Sequence, residues 1–221
     1  MDVLLNQVEA RVLGALIEKQ ITTPDYYPLT LSALTAACNQ KSNRNPVTSL
    51  AETDVVRAIL TLRDKQLAWE VAEAGARVMK YSHNMAGQFT LSDVQLAVLC
   101  ELILRGPQTG GELRTHCERM HPLGDTAQTE AALQSLMEYP GAPLAARLPR
   151  EPGRRENRYT HLLCGEAVLQ PETLKPPPEA ATLTIRAENE RLVALEEEIQ
   201  HLRAEVADLN RQFAGFKKQF E

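Results

Sequence analysis

Residues 94–117 read VQLAVLCELILRGPQTGGELRTHC, and this stretch contains one helix, its end and the beginning of a second helix. Apolar residues recur at three- and four-residue spacing, which predicts an amphipathic helix with one buried face: Val94, Ala97, Val98 and Leu102. Gly106 stands where a left-handed C-terminal cap is expected, and Pro107 follows it. Thr109 and Glu112 have the T-x-x-E spacing of a capping box, so the next helix is predicted to begin directly after this turn.

The residues that follow predict a third helix and a two-stranded hairpin. Apolar residues mark the second and third helices: Leu113, Cys117 and Met120, then Ala132, Leu133, Leu136 and Met137. Two later stretches alternate with the period of two that is typical of strands: Leu144, Ala146 and Leu148, then Tyr159, His161 and Leu163. Pro152-Gly153 marks the tip between them. The window Leu91–Leu163 therefore reads helix, helix, helix, hairpin.

The window Val8–Tyr81 predicts the same order of elements. A first helix is predicted to end near Gln20, and a second to begin near Thr30, whose hydroxyl can cap it. A third helix is predicted near Glu52, with these residues facing inward: Val55, Val56, Ile59, Leu60 and Leu62. A hairpin then runs through residues 67–71, turns at residues 74–76 and returns through residues 78–81.

Three helices closed by a hairpin are typical of the winged helix, a variant of the helix-turn-helix fold. We therefore predict a mainly α protein with small β-hairpins, built from two tandem winged-helix domains and a C-terminal coiled-coil helix. The predicted divisions are winged-helix domain 1 at residues 1–86, winged-helix domain 2 at residues 87–168, a Pro-rich linker at residues 169–182 and the coiled-coil helix at residues 183–221.

The C-terminal residues carry a heptad pattern that predicts a parallel two-stranded coiled coil. Its a and d positions predict the dimer contacts: Leu192, Leu195, Ile199, Leu202, Val206, Leu209, Phe213 and Phe216. A strict 3.5-residue period favours a coiled coil over docking on the same chain, for which a 3.6-residue period is expected. The alternative stays open, because the phenylalanines could instead occupy a groove. The linker, which contains Pro176-Pro177-Pro178, permits either arrangement.

Composition excludes several functional classes. The formal net charge is −5, which argues mildly against indiscriminate phosphate binding, although local patches can be basic. No signal peptide and no membrane span is expected, and the four dispersed cysteines suit a reducing cytoplasm as buried thiols. His116 and His121 are five residues apart, off one helical face, so no metal site is predicted. No catalytic motif or cofactor motif is present, and we expect no enzyme.

Three groups of polar and basic residues are candidates for nucleic-acid binding. They are Lys41, Asn43 and Arg44 before the third helix, Arg77 and Lys80 on the first wing, and Arg150, Arg154, Arg155 and Arg158 on the second wing. Cations there can replace the counterions of phosphates. Turn chemistry at Asn43 and Arg–Glu pairs within the second wing are the alternatives. Acidic residues in both third helices argue against base-specific readout.

Long runs of this sequence resemble the YceH-like proteins of bacteria. The resemblance rests on residues 8–14, 18–20, 22–24 and 27–29, and most distinctively on ACNQKSNRNPV at residues 37–47. A second signature is REPGRRENRY at residues 150–159, followed by His161. The resemblance covers roughly residues 5–165 and implies two winged-helix domains in tandem. It implies no activity, because the family is itself largely uncharacterised.

These observations predict a non-enzymatic DNA-binding or transcription-associated protein that dimerises through its C-terminal helix. The expected partners are DNA and a second copy of the chain. The alternative is an interaction scaffold whose winged helices bind a partner protein without nucleic acid, which the acidic third helices favour.

Overall fold

The computed structural model describes residues 4–72, 78–150, 153 and 156–165, which belong to one compact unit, residues 1–169. The first wing tip with Arg77, the second wing residues Arg154 and Arg155, the linker and the predicted coiled coil all lie outside the described residues. The described residues are mainly helical, with two small antiparallel sheets. The prediction of a mainly α protein with small β elements is therefore confirmed.

The chain contains two repeats with the same order of elements. The first repeat comprises α1 (Gln7–Thr22), β1 (Leu29–Thr30), α2 (Leu31–Cys38), α3 (Glu52–Asp64), β2 (Ala68–Val71) and β3 (Lys80–His83). The second comprises α5 (Asp93–Arg105), β4 (Gln108–Thr109), α6 (Gly110–Cys117), α7 (Thr126–Met137), β5 (Ala145–Arg147) and β6 (Arg158–His161). A short helix, α4 (Met85–Gln88), lies between them, and the domain boundary predicted at residue 86 falls inside it.

Side chains at the N-caps fix where several helices begin. The Asn6 carboxamide accepts hydrogen bonds from the backbone N–H groups of Val8 and Glu9, and the Glu9 carboxylate accepts one from the Asn6 N–H. Such a capping box satisfies the donors that the first turn of a helix leaves unpaired. Ser92 caps α5 and Thr109 caps α6 in the same way. The predicted capping box at Thr109 is confirmed.

The sheets have the same topology and corresponding registers. The strand order is β1-β3-β2 in the first and β4-β6-β5 in the second, with both neighbouring pairs antiparallel. Thr30 is opposite Lys80 in the first sheet, as Thr109 is opposite Arg158 in the second. Strands β1 and β4 were not predicted, because two-residue strands carry no periodicity.

One continuous core connects the repeats. Helices α1 and α5 approach closely at Gly14, where an added Cβ would lie 2.8 Å from Ile103 Cγ2 and 2.8 Å from Leu104 Cδ2. The Cys100 thiol lies 3.4 Å from the Gly14 carbonyl oxygen and can donate to it. Because a larger residue at position 14 would meet these atoms, glycine permits the contact through which the two repeats share a core.

One residue departs from the predicted burial. Leu60 was expected to face the core but is 48 % exposed, so that prediction is wrong. It follows Ile59, and the apolar stripe of α3 is narrower than the sequence suggested. Among the described residues, no helix combines the length and apolarity needed to cross a membrane.

Candidate nucleic-acid interface

The loop between α2 and α3 is held in shape by its own polar groups. Asn39, at the end of α2, accepts a hydrogen bond from the Leu50 N–H at 2.7 Å and donates one to the Leu50 carbonyl at 2.8 Å. Asn43 has a φ of 58°, the left-handed conformation that asparagine tolerates better than most residues. In this loop conformation, Lys41 is exposed to solvent and the side chain of Arg44 is buried.

Arg44 is buried, which corrects its assignment as a phosphate contact. Its side chain is 0 % exposed, and its guanidinium pairs with the Glu18 carboxylate at Nη1–Oε1 2.9 Å and Nη2–Oε2 2.5 Å. Nη2 also donates to the Ala37 carbonyl at 2.8 Å. A guanidinium enclosed in this way cannot reach a nucleic acid without breaking the core. Arg44 is therefore a structural residue.

A buried ionic network extends from Arg44 into the second repeat. Arg119 Nη2 lies 2.5 Å from Glu18 Oε1 and 2.8 Å from Glu101 Oε1, so one guanidinium bridges carboxylates on α1 and α5. Arg105 Nε pairs with Glu101 Oε2 at 3.0 Å. Both carboxylates are fully buried, and each is paired with two arginines. The network therefore connects the two repeats through charge as well as through packing.

The electrostatics keep Glu18 charged. Burial by itself raises the pKa of Glu18, but the hydrogen bonds and charges of Arg44 and Arg119 outweigh it and leave the pKa below its usual value. Burial lowers the pKa of Arg119, yet its bonds to Glu101 and the charge of Glu18 raise the pKa above the ordinary value. Each partner thus stabilises the ionised form of the other.

The α2–α3 loop also docks directly on the second repeat. The Asn43 carboxamide oxygen accepts a hydrogen bond from Arg105, and the Asn45 N–H donates to the Leu104 carbonyl at 3.0 Å. Arg11 holds the same loop from α1, donating through Nη2 to the Pro46 carbonyl at 2.7 Å. Asn43 therefore has a structural contact, whereas Lys41 in the same loop is exposed.

The second signature run reaches the same end of α5. Arg158, at the start of β6, donates through Nη2 to the Pro107 carbonyl at 2.5 Å, and Arg150 is exposed beyond β5. Gly106, beside Pro107, has a φ of +73°, and a Cβ placed there would lie 3.9 Å from the Asn45 carbonyl. The turn after α5 thus contacts both distinctive runs of the sequence. Lys80 begins β3 in the first sheet.

Apart from Arg44, the residues of this network were not predicted from the sequence, although a signal for the two carboxylates was present. Glu101 interrupts the apolar run Val98–Ile103, and Glu18 follows the apolar stripe of α1. A carboxylate in such a position is either exposed by a bend or paired inside. Arg105, four residues after Glu101 on the same helix, was a predictable partner. Arg119 was not, because it lies beyond the end of α6 and approaches Glu101 only in the folded chain.

The cysteines are packing residues. Cys38, Cys100 and Cys117 are buried and Cys164 is half-buried, all as free thiols. Burial raises the pKa of Cys38 and of Cys117 to about 12, so both stay protonated. In the described part of the chain, no group of three or more His, Cys, Asp or Glu side chains is placed to hold a metal ion.

Comparison with known proteins gives one consistent result. A family model described as "Protein of unknown function, DUF480" matches residues 5–154. A UPF0502 protein of Geobacter metallireducens is 57 % identical over the full length of both chains, and one of Geobacter sulfurreducens is 54 % identical over the same extent. A UPF0502 protein of Aliivibrio fischeri is 44 % identical over 94 % of this chain and 95 % of its own.

Proposed function

Since the chain belongs to the DUF480 family, as its resemblance to the YceH-like proteins predicted, we propose from its geometry that it is a tandem winged-helix protein that binds DNA. Each repeat has the order helix, strand, helix, helix, strand, strand, with its first strand paired to its last. This arrangement supports the winged-helix interpretation. The family description names no activity, so the proposal rests on the residues of this chain.

The observation that carries the proposal is the meeting of the two distinctive runs at the end of α5. Asn45 binds the Leu104 carbonyl and Arg158 binds the Pro107 carbonyl, three residues further along the chain. The exposed cations Lys41 and Arg150 belong to these same runs. We propose that they contact phosphates on one face, to which both repeats contribute. We name this surface, which is defined by Lys41 and Arg150, the shared face.

The third helices are assigned no base readout. Helix α3 begins with Glu52 and Asp54, and Asp125 caps α7. Acidic residues there suit the helix dipole but repel phosphate. The proposed contact is therefore mainly with the backbone of DNA, and its affinity should depend strongly on salt. The proposal includes dimerisation through residues 183–221, which rests on the heptad pattern alone.

Fluorescence anisotropy with a labelled DNA duplex tests the proposal. At about 50 mM salt the protein should bind, and the affinity should fall at about 200 mM salt because counterion release drives binding. Lys41→Glu and Arg150→Glu should each weaken binding at least about threefold. Both residues are exposed, so neither substitution should unfold the protein.

Arg57→Glu is the matched control, because it makes the same change of charge at another exposed arginine. Arg57 lies on α3 and lines a groove with Asn6, Glu9 and Asp54. The proposal expects no change in affinity from this variant. Equal losses in all three variants would contradict the shared face, and absence of binding at about 50 mM salt would contradict DNA binding altogether.

A second candidate function is a scaffold that binds a partner protein. It is favoured by α3, where the acidic first turn is combined with an exposed Leu60, a surface better suited to protein than to phosphate. Pull-downs from lysate with and without nuclease separate the two candidates. Partners lost after nuclease support DNA binding, whereas partners that survive and depend on Leu60 support the scaffold.

A further inference from the structure

The first sheet carries an aromatic side chain on the face opposite the core. Ala68 of β2 is fully buried, and strand residues alternate between faces, so Trp69 lies on the other side, where it is 49 % exposed. Because Trp69 is half exposed, its ring contributes only part of the hydrophobic stabilisation that full burial would provide. Trp69 is the only tryptophan of the chain.

Its neighbours leave the indole ring accessible. Ser82 is directly opposite Trp69 on β3, and a serine is too small to cover an indole. Lys80 is two residues further along β3, opposite Val71. It is therefore a diagonal neighbour of Trp69, at roughly 7–8 Å between backbones, within reach of a long side chain. One face of the sheet thus combines an aromatic ring, a hydroxyl group and a cation.

We propose that Trp69 stacks on an unpaired base of the bound nucleic acid, with Lys80 contacting a flanking phosphate. The inference rests on the proposed function and specifies its ligand as a duplex with a single-stranded extension. Exposed aromatic rings beside cations bind single strands because every base has a stacking face and every nucleotide carries a phosphate. Duplex bases are stacked on each other and do not present that face.

The composition of the face favours nucleic acid over a protein partner. Lysine is depleted from the buried centres of protein interfaces, where a cation would lose its hydration. Here a lysine is a diagonal neighbour of the aromatic ring, and its charge suits contact with a phosphate. Within β2 and β3, Val71 is the only apolar neighbour of Trp69 on this face. Two further exposed apolar residues, Val78 and Met79, lie directly before β3.

The second repeat provides an internal contrast. Its sheet keeps the corresponding threonine and cation, Thr109 opposite Arg158, but Ala146 occupies the position of Trp69. Ala146 is opposite Thr160, as Trp69 is opposite Ser82. The corresponding scaffolds therefore differ at the one position that would stack on a base. We assign the single-stranded contact to the first repeat alone.

Intrinsic fluorescence tests this inference directly, because the emission of the indole comes from Trp69 alone. Full-length protein is titrated with a blunt duplex and with the same duplex carrying a single-stranded thymidine extension. The extension should quench the emission and raise the affinity by about fivefold or more, the effect expected from one stacked base. Trp69→Ala should abolish that gain in labelled-DNA anisotropy, and Trp69→Phe should retain most of it.

Leu60→Ala is the matched control, since Leu60 is 48 % exposed in the same repeat. It should leave the preference for the extension unchanged. Equal binding of both probes with unchanged emission overturns the inference while the proposed function stands, whereas failure of both probes to bind overturns the proposed function. A change of emission on raising the protein concentration alone would place a second copy of the chain on this face and would also overturn the inference.

Discussion

At the scale of single residues, the burial of Arg44 changes the interpretation of the α2–α3 loop, which the sequence predicted to bind nucleic acid. Asn43 and Arg44 lie among polar residues that resemble an exposed binding loop, and their side chains instead contact Arg105 and Glu18. Chemistry alone does not distinguish the two outcomes, because an arginine binds phosphate and carboxylate with the same fork of donors. Burial decides between them.

Arg44→Met should lower the free energy of unfolding by about 3 kcal/mol. The substitution removes the two short contacts of Arg44 with Glu18 and leaves this carboxylate with Arg119 and a more distant Lys19 at 3.9 Å. Removing one partner of a buried ion pair typically costs about 3–5 kcal/mol. Urea denaturation measures the change. Lys41→Met, at an exposed position of the same loop, is the control and should stay within about 0.5 kcal/mol of the unmodified protein. Equal stability of the two variants would refute the structural role of Arg44.

Two histidines should make the protein less stable in mild acid. Burial lowers the pKa of His83 and of His161 to about 4, and they occupy corresponding ends of β3 and β6. An unfolded histidine titrates near about 6.5, so the unfolded chain takes up protons first as the pH falls. This contribution to stability is complete above about pH 6.5 and is lost toward about pH 4.

Between about pH 7 and about pH 5, each histidine should lower the free energy of unfolding by on the order of 2 kcal/mol. Denaturation curves at both pH values, for the unmodified protein and for the double variant His83→Gln, His161→Gln, measure the difference. The double variant should lose most of its pH dependence in this window. The same pH dependence in both proteins would show that the two rings take up protons equally in the folded and the unfolded chain, and would contradict the lowered pKa values.

At the scale of elements, the contact of α1 with α5 depends on glycine. Gly14→Ala should destabilise the protein by about 1–3 kcal/mol, because the new methyl group would lie 2.8 Å from Ile103 and from Leu104 and would force them to shift. Thermal and urea unfolding both report this change. The helical control is Gly111→Ala in α6, where the nearest atom, Glu156 Oε2, is 4.0 Å away. It should be neutral or stabilising by up to about 1 kcal/mol. The same sign in both variants would contradict the close contact.

Most elements could be predicted from the sequence, whereas their connections could not. Caps such as Thr30 and Thr109, and the spacing of apolar residues, are local signals that do not depend on the rest of the fold. The pairing of Glu101 with Arg119, and of the α2–α3 loop with the end of α5, joins residues from different elements. Of the candidate site, the exposure of Lys41 was predictable and the burial of Arg44 was not, because solvent access depends on those long-range contacts.

At the scale of the whole molecule, the coiled coil predicted for residues 183–221 can be tested independently of the described fold. The heptads predict that Leu202→Glu combined with Leu209→Glu places charges in the seam of a parallel coiled coil. The unmodified protein should sediment as a dimer and this variant as a monomer with unchanged thermal stability of the helical repeats. A variant that remains dimeric would require another interface, and a monomeric unmodified protein would favour docking of the tail on its own chain.

The shared face is also a property of the whole molecule, because it includes one exposed cation from each repeat. Binding through phosphates gives a linear dependence of log K on log salt, with a slope of about −0.9 for each phosphate neutralised. The contributions of Lys41 and Arg150 should therefore add, as expected for two contacts made at the same time.

The slope of log K against log salt is the most direct measure of DNA binding at the shared face. The unmodified protein should give a clearly negative slope, which Lys41→Gln and Arg150→Gln should each make shallower by about 0.9, and the double variant by about twice that amount. A slope near zero, or a slope that neither substitution changes, would contradict DNA binding at the shared face.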